Sequence, residues 1–444
     1  MKKIFIFLMA FAIFFPTIVN AEQAAIQNPN TSLQDTIDVF EGNKEIRNQN
    51  IFVPTKDGVQ RATYEEALKI EEYKQKNLTE LTKSYLLGDY KSGQILQSYN
   101  IDEVRPMAST SKLVSVFVVM DEIKRGTISK TDTVLIDNEA ASLPGSSYKL
   151  QENDIKTVSE LLEASLIVSG NDAITALAKY VGGSKEEFVN MMNEKCRELG
   201  LKNAHMVNPT GLTDYAIEDY NKMTTREMFI LSRELISSYP ELLEITSKPK
   251  IENPERNFIE YNTNPTLGIT EGIDGLKTGY TNASGRCLIA TGVKKADGEK
   301  TLDTRLIGIV TGCPNDWMRY VAANRLMSEG LEKYQYILVG NENEPEDVIS
   351  IEDAADEKTN VYVKNQGSAL WDGESEFERK FFYKPGLKAP IDVGENIGYV
   401  KYYMKGEEVL KLDLIVKDRV SQKGILSKIK NVYEDIFIKI DEAA

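Results

Sequence analysis

The sequence predicts a mixed α/β chain of the α+β type, and three observations predict it. Apolar residues recur at helical spacing through the middle of the chain. Strand-like runs follow from about residue 275, and beyond about residue 340 the texture changes to short β-type runs punctuated by Gly and Pro. Helices gathered in one stretch and strands in the next argue for an antiparallel sheet with a helical region, then a small all-β domain and a C-terminal amphipathic helix. At 444 residues the chain has room for two or more cores, and 41% hydrophobic with 27% charged residues is an ordinary globular composition.

The first element reads as an export signal. Lys2 and Lys3 precede the apolar run "IFIFLMAFAIFF", and a polar stretch ends in "VNA", so residues 1–21 are expected to be removed after Ala21. The run is shorter than the roughly 20 residues a bilayer span requires. Residues 22–80 form an N-terminal extension, rich in Asn, Gln, Asp and Thr to about residue 60. Its second part, "TYEEALKIEEYKQKNLTEL", spaces Ala67, Leu68, Ile70, Tyr73, Leu78 and Leu81 as a charged surface helix would. "SYLLGDYKSGQILQSYN" is a hairpin turning over Asp89 to Gly93.

Next, "MASTSKLVSVFVVM" opens an interior-type helix with a polar cluster at its mouth. A loop with "LPGSS" leads to "TVSELLEASLIVSGNDAITALAKYVGG", helical on both sides of Ser169 and Gly170. "SKEEFVNMMNEKCRELG" and "TTREMFILSRELISSYP" are further helices. "GLKTGYT", "CLIATGV" and "TRLIGIVTG" are strands, and "DWMRYVAANRLMSEGLEKY" is helical. The catalytic domain is placed at 81–340 and the β domain at 345–420. In residues 424–444, Ile425, Ile429, Val432, Ile436 and Ile440 recur at helical spacing, widened by Leu426, Tyr433 and Phe437. Acidic residues there slightly outnumber lysines, so apolar burial rather than attraction to anionic lipid would drive peripheral contact with the membrane.

Acidic residues exceed basic ones 68 to 53, a net charge of −15, without a basic patch, which argues against nucleic acid as a partner. Cys196, Cys287 and Cys313 form an odd set without C-x-x-C spacing, so neither a disulfide framework nor a zinc site is expected. His205 is the only histidine. A Ser-His-Asp enzyme would have to use it, and a histidine-rich metal site is impossible.

The chemistry gathers at three places. Ser109 and Lys112, at i and i+3, share a helical face, and a lysine amine held away from water can take a serine proton. The spacing alone is cheap, because it recurs at Ser146/Lys149, Ser247/Lys250 and Ser427/Lys430, and hydroxyls also cap helices. "SGN" at Ser169 to Asn171 interrupts a helical region with a hydroxyl and an amide. "KTG" at Lys277 to Gly279 lies in a strand-like run that turns Lys277 and Gly279 to one face, Gly279 permitting close approach; the copy "KSG" at Lys91 is a turn.

The ordered set S-x-x-K, S-x-N, K-T-G is the signature of penicillin-binding proteins and class A β-lactamases. "LIVSGNDAITALA", "HMVNPTGL", "EGIDGLKTGYTNASGRCL" and "MRYVAANRLMSEGLEKY" make the chain resemble the D-alanyl-D-alanine carboxypeptidases, low-molecular-mass penicillin-binding proteins, over roughly residues 83 to 340; "LKAPIDVGENIGYV" resembles their β domain. Ser284 and Thr210 stand where that family commonly has alanine and histidine, and the extension before residue 80 is unmatched.

The resemblance implies a β-lactamase/transpeptidase-like catalytic fold and hydrolysis of a peptidoglycan stem peptide, with β-lactams as inhibitors and no cofactor or metal. It implies that Ser109 attacks the penultimate D-alanine, Lys112 is the base and Ser169 relays a proton. Asn171, Lys277, Thr278 and Gly279 would bind substrate, the N–H groups of Ser109 and Tyr280 would form the oxyanion hole, and Arg319 would grip the terminal carboxylate. The enzyme would act at the outer face of the cytoplasmic membrane or in the cell wall. A β-lactamase is the alternative, disfavoured because no convincing equivalent of the class A E-x-x-x-N element lies between Asn171 and Lys277; a catalytically silent wall-binding homologue is the other.

Overall fold

The computed structural model describes residues 50–55, 58–213, 219–425 and 429. The leader at 1–21 and nearly all of the tail at 424–444 lie outside the described residues, and so does the peripheral helix expected there. Among the described residues no helix is long and apolar enough to cross a membrane.

The chain divides into two compact units, one built from residues up to Lys294 with Arg305–Leu331, the other from Lys295–Thr304 with Glu332 onward. The first unit is organised on a five-stranded sheet. Its strands are Ser84–Asp89 (β1), Ile95–Tyr99 (β2), Ile273–Thr281 (β3), Gly285–Lys294 (β4) and Thr304–Cys313 (β5), in the order β3-β4-β5-β1-β2. The pairs β3/β4, β5/β1 and β1/β2 are antiparallel. "CLIATG" and "LIGIVT" are buried without interruption, as strands covered on both faces must be.

Helices provide that cover. Six matter here: Lys112–Arg125 (α1), Val158–Ile167 (α2), Asn171–Gly182 (α3), Lys185–Glu198 (α4), Thr225–Ser238 (α5) and Asp316–Lys333 (α6). Leu87 and Gly88, adjacent on β1, face opposite ways. A Cβ on Gly88 would strike the Phe229 ring of α5, and one on Gly330 of α6 would strike Leu87, so α5 and α6 lie on opposite faces of the sheet. α1 runs through the helical region with Leu113, Val114, Val116, Phe117, Val118 and Val119 all buried, each contributing about 1.5–3 kcal/mol of transfer free energy. Capping follows the sequence: Thr157 and Thr224 accept from the backbone N–H three residues on, and α1 ends at Gly126 in the left-handed region.

From residue 50 on, the extension forms regular elements. Asn50–Thr55 pairs antiparallel with Gly58–Thr63, and a helix over Tyr64–Lys74 buries Ala67 and Ile70. Its end is tied down by Arg325 of α6, which donates to the carbonyls of Lys74 at 3.1 Å and Lys76 at 2.7 Å.

The second unit is all-β. Thr301–Leu302, Gln335–Val339 and Gly367–Trp371 form a three-stranded sheet. Asp347–Ile349, Thr359–Val363, Glu407–Ile415, Asn396–Met404 and Glu378–Tyr383, in that spatial order, form a five-stranded one around Val361, Val363, Ile397, Val400 and Leu414.

Candidate active site

A tight 3-10 turn over Ala108–Ser111 delivers the chain into α1, which begins at Lys112. The hydroxyls at the helix mouth do not cap it. Thr110 and Ser111 donate back to the carbonyls of Met107 at 2.7 Å and Ala108 at 2.8 Å, locking the turn and leaving Ser109 to other partners. Lys112 is fully buried. Its Nζ donates to Ser109 Oγ at 2.9 Å, Asn171 Oδ1 at 2.7 Å and the Thr210 carbonyl at 2.8 Å, so all three ammonium donors are engaged. Burial, and then the positive charge of Lys277, hold this amine well below the usual lysine range, with Asp172 pulling weakly the other way.

Ser169 follows the end of α2 in the left-handed region, φ 62°, unusual for a residue with a side chain. Its Oγ is buried with no hydrogen-bond partner among the described residues. Asn171 opens α3. Besides accepting from Lys112, its amide Nδ2 donates to the Pro144 carbonyl at 2.8 Å, which leaves one N–H and one lone pair for a ligand. Asp172 is buried beside it and accepts from the backbone of Tyr148 and Leu150 and from the Ser147 hydroxyl, pinning the "LPGSS" loop.

β3 is an edge strand of the sheet and carries Lys277, Thr278, Gly279 and Tyr280. A Cβ on Gly279 would lie 2.9 Å from the Met107 carbonyl oxygen and 3.0 Å from the backbone nitrogens of Ser109 and Thr110. Only glycine lets the strand come this close to the serine turn. Lys277 is buried, and its Nζ donates to the Thr278 carbonyl at 3.0 Å. Burial, then the charge of Arg319, push its pKa down to about 7. Thr278 Oγ1 donates to Thr263 Oγ1 at 2.7 Å, and Tyr280 is half-exposed. Arg319, on the first turn of α6, is mostly buried and pairs with Asp316 at 3.0 Å, while its Nε has no partner among the described residues. Ser284 pins the β3–β4 turn, accepting from the Thr281 N–H at 2.9 Å and donating to the Gly285 carbonyl at 2.7 Å.

Ser109, Lys112, Asn171 and Lys277 are thus joined directly or by charge, with Gly279 against the serine turn and Arg319 close enough to act on Lys277. His205 is elsewhere in its bonding, half-exposed and paired with Asp219 at 3.0 Å. The three cysteines are buried and free. Sequence reasoning missed the loop "NPTGL" as a working part. Asn208 Oδ1 accepts from Gly211 N at 2.7 Å, Thr210 Oγ1 at 2.9 Å and Thr210 N at 3.1 Å, a turn that aims the Thr210 carbonyl at Lys112. Buried Asn221 then ties Ser111 to the Asn208 carbonyl, both at 2.8 Å. The turn residues N-P-T-G were the available signal; nothing in the sequence marks Asn221.

A sequence profile of the D-alanyl-D-alanine carboxypeptidases matches residues 71–312, more than half of the chain. The chain belongs to this family. A second profile, the C-terminal domain of penicillin-binding protein 5, matches residues 342–422. The family match begins inside the stretch read from sequence as an unmatched extension, in the helix that Arg325 anchors. Among curated carboxypeptidases, DacF of Bacillus subtilis is 28% identical over 80% of this chain and 89% of its own, and DacA of Haemophilus influenzae 30% identical over 78% and 87%. Solved carboxypeptidase structures agree with the fold: DacD from Francisella tularensis superposes with a TM-score of 0.60 at 26% identity, covering 77% of this chain and 94% of that one. Penicillin-binding protein 5 from Haemophilus influenzae gives 0.59 at 27% identity, covering 77% and 98%.

Proposed function

We propose that this carboxypeptidase removes the terminal D-alanine from peptidoglycan stem pentapeptides through an acyl-enzyme on Ser109, and that β-lactams acylate the same hydroxyl. One observation carries the reading: a fully buried lysine amine, depressed in pKa, within hydrogen-bond reach of Ser109 Oγ and oriented by Asn171 and Thr210. Neutral Lys112 takes the proton of Ser109 as Oγ adds to the carbonyl carbon of the penultimate residue. The N–H groups of Ser109 and Tyr280 receive the developing oxyanion, a role supported by the close approach of Gly279 to the Ser109 nitrogen. The C–N bond then breaks as Lys112 gives up the proton it took and Ser169, whose Oγ has no partner among the described residues, relays it to the leaving amine. Water adds to the ester, and Ser109 is restored with release of the shortened peptide.

Asn171 has one N–H to spare for a substrate amide, and the open edge of β3 offers backbone groups to an extended peptide. Lys277, Thr278 and Arg319 supply the cationic and polar end of the site for the terminal carboxylate. In this reading 81–340 is the catalytic domain and 345–420 the β domain; residues 1–21 export the chain, and 424–444 hold it peripherally at the outer face of the cytoplasmic membrane.

The test is release of D-alanine from a defined pentapeptide together with mass-spectrometric location of a penicillin adduct. An adduct on Ser109 with D-alanine release supports the reading. Rapid penicillin turnover without D-alanine release identifies a β-lactamase, and no adduct at all identifies a silent binder.

A further inference from the structure

The family signature ends at the strand, but the cationic side of the site does not. Arg286 lies directly opposite Tyr280 in the β3/β4 ladder, and its guanidinium carbon sits 3.2 Å from the centre of the Tyr280 ring. The same guanidinium reaches Asp316 Oδ2 at 3.1 Å, while Arg319 reaches Asp316 Oδ1 at 3.0 Å. One carboxylate therefore divides itself between two arginines. Both arginines keep a buried Nε with no hydrogen-bond partner among the described residues. A guanidinium whose inner N–H is buried and unpaired bears a desolvation cost that an incoming oxyanion relieves.

We propose that Asp316 and Arg286 are positioning residues for the terminal carboxylate of the substrate: Asp316 holds the Arg319 guanidinium with its Nε unengaged, and Arg286, stacked on Tyr280, fixes Asp316. The inference rests on the carboxypeptidase reading. The physical reason for an indirect arrangement is rotamer freedom. Arg319 emerges from the first turn of a helix, where a long side chain has many conformations, and an i,i+3 carboxylate selects few of them. Asp316 is itself half-exposed, free to fold toward solvent, and the Tyr280–Arg286 stack opposes that. The device thus connects the oxyanion strand to the carboxylate-binding helix, so that the two ends of one terminal residue are gripped at a set separation.

Electrostatics alone predicts the opposite outcome to positioning, which makes the inference testable. Removing the negative charge of Asp316 beside a carboxylate site would strengthen carboxylate binding if charge were all that mattered. Under the positioning reading, Asp316→Ala raises KM for an N-acylated L-Lys-D-Ala-D-Ala peptide about tenfold with kcat changed less than threefold. Arg286→Gln does the same about threefold, and Asp316→Glu restores most of the loss. The C-terminal amide of the same peptide, which lacks the carboxylate, shows no such sensitivity, so wild-type and Asp316→Ala enzymes process it alike. A fall in KM on Asp316→Ala, an unchanged KM, or equal losses on acid and amide overturns the proposal. Failure of the wild-type enzyme to release D-alanine would instead overturn the carboxypeptidase reading on which it stands.

Discussion

Gly279→Ala places one methyl group in the narrowest gap of the site. The new Cβ would sit 2.9 Å from the Met107 carbonyl oxygen and 3.0 Å from the Ser109 and Thr110 nitrogens, where ordinary contact begins at 3.4 Å. These are backbone atoms of a turn locked by two internal hydrogen bonds, so the neighbour cannot rotate away. Strand β3 must then retreat from the serine turn by about half an ångström, an overpacking strain of about 1–3 kcal/mol. Since a displacement of about 1 Å at a reacting centre costs on the order of 100-fold, acylation should slow by about 10- to 100-fold. The unfolding midpoint should fall by about 2–10 °C, taking a few degrees per kcal/mol for a domain of this size. The assay is the second-order rate constant for labelling by a fluorescent penicillin, measured beside thermal unfolding. A variant that loses stability yet acylates within twofold of wild type would refute the placement of Gly279 against the nucleophile.

Ser109→Ala should fold normally yet form no penicillin adduct and release no D-alanine, as intact-mass analysis and a D-alanine assay would reveal. Lys112→Ala should lose acylation by at least about 100-fold, the usual scale of a general base, while circular dichroism reports a retained fold; wild-type acylation would dismiss Lys112 as the base. Arg319→Ala should impair peptide turnover more than β-lactam acylation, with some shared loss because β-lactams also carry a carboxylate. Its alkaline behaviour is also fixed in sign: Lys277 loses its proton near pH 7, so KM for carboxylate peptides should rise above that pH. Removing Arg319 takes away a cation that lowers this pKa, and the rise should move to higher pH; an unmoved profile would separate Lys277 from carboxylate binding. Removal of residues 424–444 should release active enzyme from washed membranes, and equal solubility of the truncated and full-length mature proteins would end the anchor reading.

Local periodicity made the elements legible because each is strongly patterned. The Leu113–Val119 run, the helices on either side of Ser169, and the strand carrying Lys277 all stand where their spacing placed them. The roles of the helix-mouth hydroxyls were not legible. Ser and Thr at that position cap helices often enough that only coordinates reveal Thr110 and Ser111 turned back on the chain. Asn221 and Asn208 escaped because their partners lie far off in the sequence or are backbone atoms, and no spacing rule reports such contacts. The excursion Lys295–Thr304, which leaves between β4 and β5 to join the second unit, depends on pairing of Thr301–Leu302 with Gln335–Val339, a non-local pairing two residues long. The helix over Tyr64–Lys74 was visible, but its docking was not, since that rests on Arg325 some 250 residues away in sequence.

The lysine that opens α1 sits where a cation opposes the helix dipole and where burial disfavours the charged form. Both costs fall away if the amine is neutral when it works. Burial and Lys277 lower the Lys112 pKa, burial and Arg319 lower that of Lys277, and so each cation makes the next easier to discharge. A base must be neutral and a carboxylate anchor charged, and a graded set of cations meets both needs at one pH if the innermost discharges first. Lys112, with no exposed surface and with Asp172 as an acidic counterweight, is the innermost; Arg319, paired with Asp316, keeps its charge throughout. Because the charge of Lys277 lowers the Lys112 pKa, replacing Lys277 with Ala should raise that pKa and carry the acid limb of the acylation profile upward.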